Sequence, residues 1–272
     1  PIITNPREAF AAGHLLSPSR KFEMGDVQTA FNNCKHIFEG QAESGGQEQL
    51  YLETQGAYAY PTEHDSVKIF SSTQGPTQVQ RTAAKVLGVG MNKVEVDVPR
   101  LGGGFGGKED QASFWGTAAA MVSWILKKPA KCVPHRMEDM RITGKRNPYS
   151  SDYKIGLDDD LNIIAYEATY YQNGGAAADL SPSILERTLF HATNSYQIPH
   201  VKVTAHSCKT NLPPNTAFRG FGGPQGMFVL ESAIDHAAKI LQVDAEYIQR
   251  KNLMDDGYEF PYGQIVKDCQ AK

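Results

Sequence analysis

The sequence predicts a mixed α+β fold in which strands and helices alternate without a strict strand–helix–strand rhythm. Val94, Val96 and Val98 alternate with polar residues, which is typical of a half-buried strand. The apolar stretch over residues 114–126 predicts a buried helix, because it is too short to cross a bilayer. Two strand-like segments flank the acidic residues 158–160. We interpret these three carboxylates as a solvated hairpin turn rather than a metal site.

The other elements are predicted from periodicity and from turn residues. Strand-like patterns lie over residues 50–58, 66–71, 94–98, 153–157, 163–171 and 201–209. Helical patterns lie near residues 26–33, over 77–87 up to Gly88, over 114–126, and in a last helix from about Pro224. Residues 1–40 are predicted to be an extended lead-in or linker from a preceding domain, and residues 41–272 are predicted to form one domain.

Composition and charge exclude several classes of protein. The net charge of −3 over 272 residues argues against a nucleic-acid-binding protein, which usually has a basic face. No signal peptide or membrane span is predicted. The four cysteines lack the paired spacing of zinc or iron–sulfur sites, which indicates a reducing, cytoplasmic setting. Because the sequence starts with Pro1, we expect a processed subunit, a proteolytic piece or an excised segment.

Two glycine-rich segments, over residues 104–109 and 220–225, share the pattern G-F-G-G-x-[E/Q]. Each precedes an apolar stretch predicted to be helical. Glycine-rich loops at helix N-termini can bring backbone N–H groups toward an anionic ligand. The shared phenylalanine favours one common ligand for both segments. The alternative is that these glycines only permit tight turns with positive φ.

The first glycine segment also matches a dinucleotide-binding pattern, G-x-G-x-x-G over residues 102–107, between a predicted strand and a predicted helix. The acidic residue expected further along is missing. The same run nearly matches a phosphate-binding P-loop, but Glu109 stands where a Ser or Thr would bind magnesium. A nucleotide-binding domain is therefore the alternative from another class.

Read with their neighbours, over residues 101–109 and 215–225, the glycine segments resemble the signature segments of molybdenum hydroxylases of the xanthine dehydrogenase type. Further stretches resemble the same family in the same order, at residues 45–54, 72–74, 141–144 and 183–187. The resemblance runs from the lead-in to the C-terminal helix. It implies that residues 41–272 form a first molybdenum-cofactor-binding domain with an incomplete pocket.

The resemblance implies a molybdopterin cofactor with molybdenum. It places Gln74 near an oxygen ligand of the metal, and it places Phe105, with Gly106, and Arg219 beside the cofactor through backbone groups. A metal held by a pterin dithiolene needs few protein ligands, so the chain would supply hydrogen-bond donors and close backbone approach.

The resemblance also implies purine-binding residues. Glu109 and Arg187 match positions at which xanthine dehydrogenases hold and polarise the purine, whereas aldehyde oxidases typically have apolar residues there. Arg187 would stabilise the charge that develops as C8 of the purine is attacked. Phe221 matches an aromatic residue that lies against the purine ring, and Leu180 matches a pocket-lining position.

Taken singly, each of these residues also has a purely structural interpretation. Glu109 would serve the dipole of a first helical turn. Arg187 would form a surface ion pair with Glu186 or Asp179. Phe105 and Phe221 would be loop residues whose side chains fill the core, and Gln74 would only form part of a turn.

The implied reaction is oxidative hydroxylation of purines such as hypoxanthine and xanthine, with the product oxygen taken from water. The family's general base is a glutamate downstream of the glycine segments, and no candidate stands in the matching context here. Four scattered cysteines cannot ligate two iron–sulfur clusters, and no flavin site is indicated. We therefore expect the iron–sulfur clusters, FAD, the base and the rest of the pterin pocket on other segments or subunits of an oligomeric assembly. The alternatives are an aldehyde oxidase or other heterocycle hydroxylase, and an assembly subunit without activity.

Overall fold

The computed structural model describes residues 1–271, which divide into two compact units. Unit 1 comprises residues 1–45, residues 147–212 and the chain from Gly220 onward. Unit 2 comprises residues 46–146 and residues 213–219. Each unit is therefore built from segments that are distant in the sequence, and the two glycine-rich segments belong to different units.

Helices and strands alternate along the chain, as the predicted α+β class requires. Unit 1 begins with α1 (Pro6–Ala11), β1 (Arg20–Met24), α2 (Val27–Asn32) and β2 (His36–Ser44). Unit 2 contains β3 (Ala57–Thr62), β4 (Ser66–Ser71), α3 (Pro76–Leu87), a 3-10 turn (Met91–Lys93), β5 (Val94–Asp97), α4 (Ala112–Leu126), β6 (Ala130–Cys132) and α5 (Arg136–Ile142). Unit 1 then resumes with β7 (Tyr149–Leu157), β8 (Ile163–Gly175), α6 (Ser181–Phe190), β9 (His200–Lys209), α7 (Gly223–Leu241) and α8 (Ala245–Lys251).

Unit 1 is built on a five-stranded sheet in the order β1-β9-β8-β7-β2. The predicted hairpin is confirmed, since β7 and β8 pair antiparallel. At its turn Asp158 accepts hydrogen bonds from the backbone N–H groups of Asp160 and Asn162, at 2.9 and 2.8 Å. The neighbouring pair, β8 and β9, is parallel because α6 crosses between them. Buried residues of the sheet, α6 and α7, such as Tyr166 and Leu230, form one continuous core.

Residues 1–45 supply both edge strands of this sheet, β1 and β2. The predicted short helix near residues 26–33 is confirmed as α2, whose first turn is capped by the Asp26 side chain. The boundary near residue 40, between a lead-in and the following domain, stays a prediction. In the described chain, β2 runs through that position.

Unit 2 is built on a four-stranded sheet in the order β5-β4-β3-β6. Strands β4 and β5 are parallel and are joined by α3, which begins at Pro76, one residue before the predicted start, and ends as predicted at Gly88, whose φ is in the left-handed region. Helices α3 and α4 contribute residues such as Val79 and Trp115 to a core that includes Ile69 of β4. Because the chain crosses between parallel strands, the segments after β4 and after β5 leave the sheet at the same edge.

The strand predicted over residues 50–58 is wrong for most of its length, because β3 begins only at Ala57. Leu50 adopts a positive φ of 46°, which interrupts an extended conformation. The carbonyl groups of Tyr51 and Leu52 accept hydrogen bonds from the Arg136 guanidinium instead of from a neighbouring strand. Tyr51 of this segment is buried, whereas Leu50 and Leu52 are 63% and 94% exposed, so its apolar residues do not indicate sheet pairing.

The helix predicted over residues 114–126 is confirmed as α4, but it is buried on one side only. Ala119 and Ala120 pack into the unit 2 core, whereas Phe114 and Ile125 are 67% and 68% exposed. Because apolar residues occur on both sides of this helix, the sequence did not show which side is buried and which is exposed. Among residues 1–271, no helix combines the length and apolar character that a membrane span requires.

A bidentate ion pair joins α1 to β7 in unit 1. Two guanidinium nitrogens of Arg7 donate to the two carboxylate oxygens of Asp152, each over 2.8 Å. Burial raises the pKa of Asp152, but hydrogen bonds from Arg7 and Gln41 outweigh burial and hold the pKa below its ordinary value of 3.8. A depressed carboxyl pKa stabilises the folded state above the unfolded pKa, and this contribution is lost as the pH falls through the folded pKa.

We therefore expect Asp152→Asn to lower the free energy of unfolding at pH 7 by about 1 kcal/mol, a value limited by partial solvent exposure. The difference from the wild type should shrink below about pH 4 as the carboxylate protonates. Urea unfolding between pH 3 and 7 measures it. The exposed Asp65→Asn, which loses only a surface pair with Lys127, is the control. A difference of constant size across this pH range would contradict the ion-pair explanation.

Candidate functional site

In unit 2, Gln74 and the first glycine segment lie at the same edge of the sheet, after β4 and β5 respectively. The Gln74 side-chain oxygen accepts hydrogen bonds from the backbone N–H groups of Gly106 and Lys108, at 2.9 and 3.3 Å. Its own backbone N–H donates to the Lys108 carbonyl at 2.7 Å. Among residues 1–271 the Gln74 Nε2 donor has no partner, and the side chain is exposed. Gln74 is thus a turn residue that also presents an oriented donor.

The glycine segment brings its backbone unusually close to a neighbouring stretch of chain. Phe105 and Gly106 have positive φ values of 55° and 100°. A Cβ atom on Gly106 would lie 2.9 Å from the backbone of Ala217, so only glycine fits. The Phe105 side chain is 49% exposed, which contradicts the interpretation of this residue as a core-filling plug.

The short segment over residues 213–219 completes this group. The Arg219 N–H donates to the Phe105 carbonyl at 2.9 Å, and the Gln49 side chain donates to the Ala217 carbonyl at 2.8 Å. The Arg219 side chain is exposed and has no carboxylate within 4 Å in the described part of the chain. Hydrogen bonds therefore connect the four residues predicted to surround the cofactor, namely Gln74, Phe105, Gly106 and Arg219.

Glu109 also belongs to unit 2, and it is half-buried. Its backbone carbonyl lies beside Gly75, 3.8 Å from the place where a Cβ atom would stand. Helix α4 begins only at Ala112, so Glu109 is not a first-turn acid of that helix. The first glycine segment does precede a helix, as predicted, since α4 follows three residues after Glu109.

Lys108 is fully buried beneath the glycine segment. Its ammonium group donates to the Glu53 carbonyl at 2.8 Å and to the Ser72 hydroxyl at 2.7 Å, and it lies 4.4 Å from the centre of the Tyr51 ring. Burial lowers the pKa of Lys108, and the Glu53 carboxylate partly offsets this effect. A P-loop lysine must reach phosphate groups, so this arrangement argues against the nucleotide-binding alternative.

Sequence reasoning missed a buried polar network that supports the glycine segment. The Tyr51 hydroxyl donates to the Asp139 carboxylate at 2.7 Å, and that carboxylate also accepts the Gln55 N–H at 2.6 Å. The Gln55 amide donates to the Gly107 carbonyl at 2.8 Å. Burial and the neighbouring carboxylate raise the pKa of Tyr51, which keeps the phenol neutral. The only indication of this network in the sequence was the family resemblance over residues 45–54, which include Tyr51 and Glu53 but were given no roles.

In unit 1, Leu180 and Arg187 lie on α6, which sequence analysis did not identify. Leu180 is the N-cap residue of this helix, and Pro182 lies in its first turn. Glycines of α7 allow α6 to approach closely. A Cβ atom on Gly222 would lie 2.2 Å from the Ile184 carbonyl oxygen, and one on Gly226 would lie 2.5 Å from that of Thr188.

This close packing places Phe221 beside α6. Arg187 and Phe221 line one open cavity of about 620 Å³ in unit 1, together with Ser183, Glu186, Phe190, His191, Tyr262 and Gln264. Arg187 is exposed and has no carboxylate within 4 Å among residues 1–271, and Glu186 pairs with Arg20 instead. The structural interpretation of Arg187 as the ion-pair partner of Glu186 is therefore wrong. Leu180 is half-buried and is not among the residues that line this cavity.

The two glycine segments match in the φ angles of their Phe-Gly pair but differ at the preceding glycine, since Gly220 has a φ of 99° and Gly104 does not adopt a positive φ. Phe221 and Gly222 have φ values of 49° and 96°, close to those of Phe105 and Gly106. In the second segment the helix begins at once, because α7 starts at Gly223 with Pro224 in its first turn, as predicted. Helix α8 comes after α7, so α7 is not the last helix.

Comparison with known proteins identifies relatives over nearly the whole chain. A family model described as the molybdopterin cofactor-binding domain matches residues 11–253. The chain is 42% identical to the xanthine dehydrogenase/oxidase of Mus musculus, over 94% of this chain and 19% of that protein. It is 45% identical to the xanthine dehydrogenase of Calliphora vicina, over 91% of this chain and 19% of that protein. The chain spans about a fifth of the length of these relatives.

Solved structures show the same fold. Aldehyde oxidoreductase from Desulfovibrio gigas superimposes with a TM-score of 0.88 at 23% identity, over 97% of this chain and 30% of that chain. Quinoline 2-oxidoreductase from Pseudomonas putida 86 superimposes with a TM-score of 0.85 at 23% identity, over 98% of this chain and 36% of that chain. At this identity the likeness concerns the fold alone, and it confirms the predicted fold class.

Proposed function

Because this chain belongs to the molybdopterin cofactor-binding domain family, we propose that it supplies part of the cofactor and substrate sites of a purine hydroxylase of the xanthine dehydrogenase type. The observation that carries this proposal is the cavity in unit 1, which brings Arg187 and Phe221 together. A cation without a competing carboxylate and an aromatic ring are the groups that a planar purine with carbonyl oxygens requires. The names of the relatives support the same substrate class.

The residues of unit 2 fit a molybdopterin cofactor. The positive φ of Gly106 and its contact with Ala217 leave a backbone surface without side chains for close approach. Gln74 presents an amide donor, and Arg219 presents a guanidinium without a carboxylate partner in the described chain. When bound, the cofactor supplies the two-electron oxidation that adds a water-derived oxygen to the substrate. In our proposal Gln74 donates to an oxygen ligand of the metal, and the backbone groups of Phe105 and Arg219 hold the cofactor in place.

On the substrate side, Arg187 donates to a purine oxygen and stabilises the negative charge that develops there. Phe221 packs against the face of the ring, within a cavity whose volume is in the range of small-molecule sites. Glu109 binds a ring nitrogen or N–H group, and Leu180 contributes an apolar contact. The roles of Glu109 and Leu180 rest on the family resemblance.

The remaining machinery belongs to the rest of the protein in this proposal. The general base, the iron–sulfur clusters, FAD and the other part of the pterin pocket lie on other segments or subunits, and the complete enzyme is oligomeric and cytoplasmic. An aldehyde oxidase or other heterocycle hydroxylase is the second candidate function, since two structures of the same fold are an aldehyde and a quinoline oxidoreductase by name. The exposed arginine beside Phe221 favours purines over these substrates.

Metal analysis of the full-length protein, purified with any accompanying chains, tests the proposal. We expect about one molybdenum per copy of this chain, iron alongside it, and oxidation of xanthine in preference to aldehydes. Absence of molybdenum from the complete assembly would overturn the cofactor assignment. Molybdenum with a preference for aldehydes would keep the cofactor and replace the substrate.

A further inference from the structure

Arg146 of unit 2 holds the segment that carries Arg219. Its Nε donates to the Gln47 side-chain oxygen at 2.9 Å, and its two terminal nitrogens donate to the carbonyls of Phe218 and Arg219, at 3.3 and 2.8 Å. The guanidinium carbon also lies 4.4 Å from the centre of the Phe218 ring. One planar side chain therefore fixes two successive carbonyl groups and an aromatic ring.

The carbonyls that Arg146 binds belong to a segment that contacts the first glycine segment directly. The N–H group of Arg219 donates to the Phe105 carbonyl at 2.9 Å. Gly106 packs against Ala217 at a distance that admits no side chain. Any displacement of residues 217–219 would therefore move the backbone of the first glycine segment as well. Arg146 forms no hydrogen bond with Phe105 or Gly106, so its influence on them passes through residues 217–219.

The charge of Arg146 is not neutralised within the described part of the chain. All three of its acceptors are neutral oxygens, and no carboxylate lies within 4 Å of the guanidinium. Its neighbour Lys145, in contrast, forms an ion pair with Glu48 at 2.8 Å. Burial lowers the pKa of Arg146, as expected for a cation removed from water without a counter-ion. Such a cation is stabilised by any anion that binds nearby.

We infer that Arg146 is a positioning residue for the anionic pterin cofactor: its guanidinium fixes the backbone of residues 217–219 against Phe105, and its charge favours the bound anion. This inference rests on the proposed function, because it needs the cofactor to bind beside Phe105 and Arg219. It assigns to Arg146 no contact with the reacting atoms.

Two substitutions in the full-length protein separate geometry from charge. Arg146→Met keeps much of the length of the side chain and removes every donor, whereas Arg146→Lys keeps the charge and loses the planar fork. We expect the molybdenum and pterin content per polypeptide to fall about 10- to 100-fold in Arg146→Met and less in Arg146→Lys, as for other residues that orient a metal site from its outer shell. Arg81→Met, on the exposed side of α3, is the matched control and should keep the wild-type content.

A second readout does not depend on the cofactor. Arg219 is exposed and is followed by Gly220, so trypsin can cut between them once the segment loosens. We expect cleavage at this bond, in cofactor-free protein, to be about 10-fold faster in Arg146→Met than in the wild type. Cleavage after the exposed Lys127 should be unchanged and serves as the internal reference. Equal acceleration at both bonds would indicate general unfolding and would overturn the positioning role.

The outcomes distinguish the two proposals. If the wild type holds molybdenum and Arg146→Met holds as much, with unchanged cleavage after Arg219, the role of Arg146 is wrong and the proposed function stands. If the complete wild-type assembly holds no molybdenum, the proposed function fails. If both variants lose the cofactor equally, charge contributes nothing, and geometry alone explains the effect.

Discussion

Replacing Arg187 with methionine in the full-length protein is expected to lower kcat/KM for xanthine about 10²–10³-fold, the effect of removing one donor that stabilises charge in a transition state. Oxidation of an aldehyde should change much less, because that substrate has no purine oxygen on which comparable charge develops. The side chain is exposed to the cavity and has no carboxylate partner in the described chain, so its removal leaves no buried group unpaired. The folded structure should therefore be unaffected.

Steady-state kinetics with both substrates measures this prediction. Arg187→Lys should give an intermediate value, since it keeps the charge without the two-pronged geometry. Arg250→Met removes an exposed arginine whose ion-pair partner within the described chain is Glu246 on α8, and it should leave both activities unchanged. An equal loss on xanthine and aldehyde in Arg187→Met would remove the reason for preferring purines. A purine-specific loss of the expected size would support the substrate assignment without any appeal to relatives.

Lys108→Ala is expected to lower the free energy of unfolding by about 3 kcal/mol, the typical cost of truncating a long buried side chain. The change removes the hydrogen bonds to the Glu53 carbonyl and the Ser72 hydroxyl and leaves a cavity beside the Tyr51 ring. Lys108→Met keeps most of the volume, so it should cost less, about 1–2 kcal/mol for the carbonyl left without a donor. The difference between the two variants isolates the contribution of packing.

Urea unfolding of the 272-residue chain measures these values. Lys127→Ala is the matched control, since this lysine is exposed and forms its ion pair with the exposed Asp65, and it should change stability by less than about 0.5 kcal/mol. If Lys108→Met were more stable than the wild type, the buried ammonium would cost more than it contributes. Lys108 would then serve to hold the glycine segment in its conformation and not to stabilise the folded chain.

The sequence predicted some residues of the candidate site and missed others. The resemblance named Gln74, Phe105, Gly106 and Arg219, and the structure connects these four through hydrogen bonds. It also named Arg187 and Phe221, which line one cavity. The functional roles of all these residues, and of Glu109 and Leu180, stay predictions. Sequence reasoning did not find Arg146, whose contacts lie with residues 47, 218 and 219.

Some helices and strands carried too little periodic signal to be predicted. Helices α1 and α5 have six and seven residues, and β6 has three, so few apolar positions repeat. Helix α6, which contains Arg187, was not predicted from the sequence. The segment before β3 was wrongly predicted to be a strand, since Arg136 and not a neighbouring strand binds the carbonyls of Tyr51 and Leu52.

By itself the sequence determined those elements whose pattern is local: α3 with its terminal Gly88, the hairpin of β7 and β8, and the start of α7. Each depends on side-chain periodicity or on glycine φ angles within a few neighbouring residues. Only the tertiary structure decided that Lys108 is buried, that one side of α4 is exposed, and that Tyr51 binds Asp139, 88 residues away. These features depend on which distant segments pack together. Burial then determines whether a charged side chain stabilises the fold, as Lys108 does, or stays exposed and able to bind another molecule.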